Sequence, residues 1–112
     1  MHTPARQDLL DFTIHVTTMI RPLVETLERK DRSLGDQVKR AMDSASLNLA
    51  EGFGAKGGKQ RLSFETARGS AYEARHGPPV AVAWGHLTDA QAAATIDALG
   101  RLAGRVHGLL GT

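Results

Sequence analysis

The stretch from Gly35 to Gly52, GDQVKRAMDSASLNLAEG, limits the fold more than any other part of the chain. Leu34, Val38, Ala41 and Ala45 step by four, three and four, the spacing of one apolar helix face. The next step of three lands on Asn48, and Ser44, Asn48 and Glu51 stack along a polar line beside the stripe. A helix that buries such a line must give each polar group a partner. The line is therefore either hydrogen-bonding glue between helices or a site.

Three further segments carry helical stripes. Leu9, Phe12 or Thr13, Val16, Ile20, Leu23 or Val24, and Leu27 predict an amphipathic helix over residues 5–30, opened by Thr3-Pro4. Pro22 lies inside it, and the unbroken apolar phase predicts a bent but continuous helix. Ser33-x-x-Asp36 is a capping box for a second helix over 34–51, which stops at Gly52-Phe53-Gly54 with a left-handed glycine cap. The third helix is expected over 59–76, with Phe64, Ala67, Ala71 and Ala74 as its stripe. Gly77-Pro78-Pro79 contains two residues without a backbone donor, so a break or kink is expected before a short piece over 79–85.

Thr88-Asp89-Ala90-Gln91 is a second capping box, opening a last helix over 89–110. Its stripe is Ala92 or Ala93, Ile96, Leu99, Ala103, Val106 and Leu110. Gly100, Gly104 and Gly108 recur every four residues, which predicts a backbone brought close to another helix or a frayed terminus. Four amphipathic helices with short turns make an all-α, up-and-down antiparallel four-helix bundle, one domain over 1–112.

Composition removes several functions. There is no cysteine, hence no disulfide, thiolate metal site or cysteine nucleophile. The longest apolar run, Val80 to Trp84, is too short to span a bilayer, and Asp8 and Asp11 interrupt the N-terminal apolar residues. No membrane association and a cytoplasmic location are expected. Gly52, Gly54 and Gly57 match a G-x-G-x-x-G pattern, but a helix precedes it where the dinucleotide fingerprint needs a strand. Gly58-Lys59 resembles the end of a phosphate loop, yet Phe53 and Gln60 occupy the glycine and hydroxyl positions that loop requires. Glu73-x-x-His76 is half of a di-metal bundle motif with no second copy in the chain, so no metal or other cofactor is expected.

The segments Asp36-Gln37-Val38-Lys39-Arg40-Ala41, Ser44-x-x-x-Asn48-Leu49-Ala50-Glu51-Gly52 and Ala67-x-Gly69-Ser70-Ala71-x-Glu73 carry a resemblance. Together they resemble the four helix bundle protein family, which includes proteins encoded by intervening sequences in bacterial 23S rRNA genes. The chain is also similar to the accessory variability determinant of diversity-generating retroelements. The resemblance implies a homo-oligomer, commonly of five subunits, with no known activity for most members. It further implies, for the retroelement members, binding of a reverse transcriptase and nucleic acid through a basic surface.

Two functional expectations follow. The first is a non-enzymatic homo-oligomeric scaffold or adaptor in which Ser44, Asn48, Glu51, Ser70 and Glu73 form a buried polar network locking the second and third helices. Within it, Asn48 and Ser70 are the expected direct link. The second is a nucleic-acid-binding accessory protein acting with RNA, DNA or a reverse transcriptase. Lys56, Lys59, Arg61, Arg68 and Arg75 would be its basic strip. The opposing expectation for that strip is a solvated face with Arg61 and Arg68 paired to Glu65 or nearby aspartates.

Overall fold

A computed structural model of the chain describes residues 4–111. Four helices follow in order: α1 (Pro4–Lys30), α2 (Arg32–Phe53), α3 (Gly57–Ala83) and α4 (Asp89–Leu109). Each packs on the next, and α4 packs back on α1, closing a bundle 44 × 23 × 22 Å across. The connections are short enough that consecutive helices must run antiparallel. Among the described residues no helix is long and apolar enough to cross a membrane.

The core follows the stripes. Leu9, Val16, Ile20, Leu27, Val38, Met42, Leu49, Phe64, Leu99 and Val106 are buried, with Ala45, Ala71 and Ala103 meeting as a small-residue cluster. On α4 the expected Ala92, Leu99, Ala103 and Val106 are buried, and the buried face extends further to one side. Thr95, Ala98 and Leu102 are inside, whereas Ile96 and Leu110 are only half-buried. Phe12 is half-buried beneath two guanidinium groups, with Arg105 Cζ 5.1 Å and Arg101 Cζ 5.8 Å from its ring centre.

Three local expectations change. The cap of α2 is Asp31, not Ser33: its Oδ1 accepts from Leu34 N–H at 3.1 Å. A single residue separates α1 from α2, so Arg32 and Ser33 are already inside the helix. Gly54 closes α2 with φ −91, a right-handed conformation, and the left-handed glycine is Gly57 at φ 57. Gln60 satisfies the end of α2 by donating to the Gly52 and Ala55 carbonyls at 3.0 and 3.1 Å. Thr3, the expected cap of α1, lies outside the described residues. The Thr88–Gln91 capping box forms as expected.

The third difference concerns α3. The expected break is absent, and the helix continues through Gly77, Pro78 and Pro79 to Ala83. Proline in a helix interior costs about 3 kcal/mol through its missing donor and its ring. Here Gly77 and Pro78 are buried, and a Cβ on Gly77 would collide with the Val38 side chain of α2. The packing of α3 between α2 and α4 keeps the segment helical despite the local preference.

At one end of the bundle the two turns are tied together. Asp31 Oδ2 meets His86 Nε2 at 3.2 Å, and Lys30 Nζ donates to the His86 carbonyl at 3.1 Å. Behind this tie, Gly35 lies against the backbone of Glu28. The Glu28 carboxyl is held above its ordinary value of 4.5, first by a side-chain hydrogen bond with Asp36, then by burial and the Asp36 charge. The folded protein keeps this proton where the unfolded chain has lost it. Stability therefore falls as pH rises from 4.5 through the raised value. Glu28→Gln is expected to melt above wild type at pH 7 and to lose that advantage as pH approaches 4.5. Thermal melts of both proteins across that range measure it, and a difference that does not change with pH contradicts it.

Candidate functional site

α2 and α3 approach closely because alanine and glycine face each other. Gly52 sits against Ser63 and Phe64, and Gly77 against Val38, which sets an antiparallel register. In that register Ser44 Oγ and Ser70 Oγ form a hydrogen bond of 2.7 Å. Asn48 Nδ2 donates to the Ser44 carbonyl at 2.9 Å and to Ser44 Oγ at 3.2 Å. A hydroxyl donates once and accepts twice, so Ser44 can hold Asn48 and Ser70 together whichever serine donates between them. The polar line thus ties α2 to α3 through Ser44, and Asn48 acts one step behind it.

The expected network is smaller and shallower than its sequence pattern. Ser44, Asn48 and Ser70 are half-buried, and Glu51 and Glu73 stand exposed with no hydrogen-bond partner among the described residues. Their spacing places them beside the line, but both side chains stand in solvent. A second polar tie links α1 to α2. Thr13, buried, donates to the Leu10 carbonyl at 2.7 Å and lies 2.9 Å from Ser46 Oγ.

The five basic residues do not form one strip. Arg61, Arg68 and Arg75 recur every seven residues and follow one line along α3. Lys59 is two residues from Arg61, about 200° around the helix, and Lys56 belongs to the turn that caps α3. The three arginines have no ion-pair partner among the described residues, so the expected pairing with Glu65 or aspartate is not made. Arg68 Nη1 instead lies 3.5 Å from His107 Nδ1 of α4, and the Arg75 stem passes Gly100. Tyr72, exposed, stands between them and shares a shallow depression with Arg75, His76, Pro79 and Ile96.

The glycines of α4 do not serve close packing within the bundle. A Cβ on Gly104 or Gly108 would meet nothing within 4 Å, and one on Gly100 would only graze Arg75 at 3.9 Å. That leaves a bare backbone ridge beside the arginine line.

The sequence reading passed over a set of outward apolar residues. Ile14 is 63%, Leu47 68% and Leu62 64% exposed. Thr13 and Ser46 are hydrogen-bonded, so Ile14 and Leu47 flank one α1–α2 contact, and Leu62 neighbours the Ser63 that touches Gly52. These outward apolar residues thus occur on α1, α2 and α3. Their signal in the sequence is phase: Leu47 falls two residues after the buried Ala45 and two before the buried Leu49, opposite the stripe. The α1–α2 groove has an apolar floor of Ile20, Val24 and Met42, and its rim charges pair with each other as Arg21–Glu25 and Lys39–Asp43.

Among the described residues no three His, Asp or Glu side chains converge as metal ligands, and Glu73 and His76 are both exposed. A family model described as 23S rRNA-intervening sequence protein matches residues 7–108. Comparison with curated proteins and with solved structures gives no match.

Proposed function

The chain belongs to the 23S rRNA-intervening sequence protein family, and on that premise we propose that it is a non-enzymatic helical scaffold that assembles with copies of itself. The observation that carries this reading is the exposure of Ile14, Leu47 and Leu62, three large apolar residues turned to solvent on adjacent helices. Apolar surface left in solvent marks interaction sites in stable domains when it gathers into one area, and we take these three residues as parts of one. The polar ties Ser44–Ser70 and Thr13–Ser46 fix the register of the helices that display it. Glu51 and Glu73, both exposed, supply charge for a neighbouring copy to meet. The assembly we propose is a ring of five, the number the sequence resemblance implies, closed by a repeated head-to-tail contact.

Native mass spectrometry tests it directly. The wild-type protein is expected to appear at about five times its 12.0 kDa chain mass, and Leu47→Glu as a monomer of unchanged helicity. A monomeric wild type ends this reading.

A second reading has an observation of its own. Arg61, Arg68 and Arg75 keep their charge unpaired along one helix line, which favours a nucleic-acid-binding accessory protein acting with RNA or a reverse transcriptase. Repetition of that line around a ring would multiply a net charge of only +2 per chain into a continuous positive field.

A further inference from the structure

We propose that the α3–α4 groove binds single-stranded nucleic acid, with Tyr72 stacking on a base and Arg68 and Arg75 holding the flanking phosphates. The proposal rests on the second reading and adds to it the form of nucleic acid and the residues that select it. Arg68 and Arg75 are two helical turns apart, about 10 Å along the axis, with Tyr72 in the interval on the same side. Tyr72 is 44% exposed, so one part of its ring is anchored and another is open.

The facing helix leaves room for a base. The contacts Arg68–His107 and Arg75–Gly100 share one antiparallel register, which places the buried Ala103 level with Tyr72 and the exposed Gly104 one residue further along. No atom lies within 4 Å of where a Gly104 side chain would begin. Beside the Tyr72 ring, a shallow depression bounded by Arg75, His76, Pro79 and Ile96 leaves room for a planar group.

The charges agree with this placement. Asp97, the acidic residue of α4 near this level, is engaged by Arg101 at 3.3 Å. Glu65 lies seven residues before Tyr72 on the same line and bounds the site at that end with one carboxylate against three guanidiniums. Guanidiniums suit phosphate oxygens, and an aromatic ring stacks on any base because every base has a π-face. Bases in a duplex are already stacked on one another and offer Tyr72 only their edges. The groove therefore selects unpaired strands.

Fluorescence anisotropy at low salt tests this with a labelled oligouridine, an oligodeoxythymidine and a duplex of matched length. The wild-type protein is expected to bind the single strands about tenfold more tightly than the duplex. Tighter binding of either strand supports the site and tells whether its natural ligand is RNA or DNA. Tyr72→Ala is expected to lose about tenfold, Tyr72→Phe to keep wild-type affinity, and Arg75→Gln to reduce the salt slope by about one. Circular dichroism confirms that these exposed substitutions leave the helices intact. Equal affinity for single strand and duplex overturns the stacking site and leaves a plain basic surface. So does a folded Tyr72→Ala protein that binds like wild type. Binding to none of the probes overturns it together with the reading it rests on.

Discussion

Leu49→Ala is expected to destabilise the protein by about 2–5 kcal/mol, the largest loss of any single truncation proposed for α2. Leu49 is fully buried and is among the bulkiest residues on a stripe otherwise made of Gly35, Val38, Ala41, Met42, Ala45 and Gly52. Small residues already bring α2 and α3 together, with Ala67, Ala71 and Ala74 on the opposite face. The helices cannot close further to refill the space, so most of the cavity remains and the cost lies toward the upper end. Denaturant unfolding, followed by circular dichroism at unchanged m-value, measures the loss. A cost below about 1 kcal/mol would show that the α2–α3 contact is loose.

Gly35→Ala is the second large effect, and its comparison with Gly104→Ala isolates the cause. Alanine in a helix interior is worth about 1 kcal/mol over glycine, so both substitutions begin with the same local gain. At Gly104 nothing opposes it, and the isolated protomer is expected to gain about 1 kcal/mol. At Gly35 the new Cβ would lie 2.8 Å from Glu28 N and 2.9 Å from its Cα. Those atoms belong to the α1 backbone and cannot rotate away as a side chain can. The α1–α2 hairpin must open, and a net loss of about 2 kcal/mol is expected after the local gain. The two variants should shift the melting temperature in opposite directions. A stabilised Gly35→Ala would mean that α1 and α2 separate freely.

The bundle was legible because its stripes are long and in phase: Leu9 to Leu27 and Val38 to Leu49 leave no other period. What was not legible shares one physical cause. Spacing tells which residues share a helix face, but it does not tell where the neighbouring helix ends. Asn48 and Glu51 stand on one line, yet Ser44 and Asn48 reach Ser70's hydrogen-bonded set and Glu51 faces solvent. Ser33 and Asp31 are both competent caps, and the choice fell to the residue that lets α1 run to Lys30. Gly77-Pro78-Pro79 reads as a break or kink from local propensity alone, and with packing against Val38 the helix continues unbroken. The family membership followed from the combined motifs, whereas Ile14, Leu47 and Leu62 became visible only once the core phase was known.

The closure of α4 on α1 has a consequence for synthesis. Arg105 reaches Asp8 at 3.0 Å, and with Arg101 it covers Phe12, so the surface of α1 is finished by residues of α4. A ribosome making roughly 5–20 residues per second needs several seconds between completing α1 and releasing α4. For that interval the apolar seam of α1 that faces α4 has no cover from its own chain. The bundle is sealed only by its last helix, and truncation in α4 leaves the seam open.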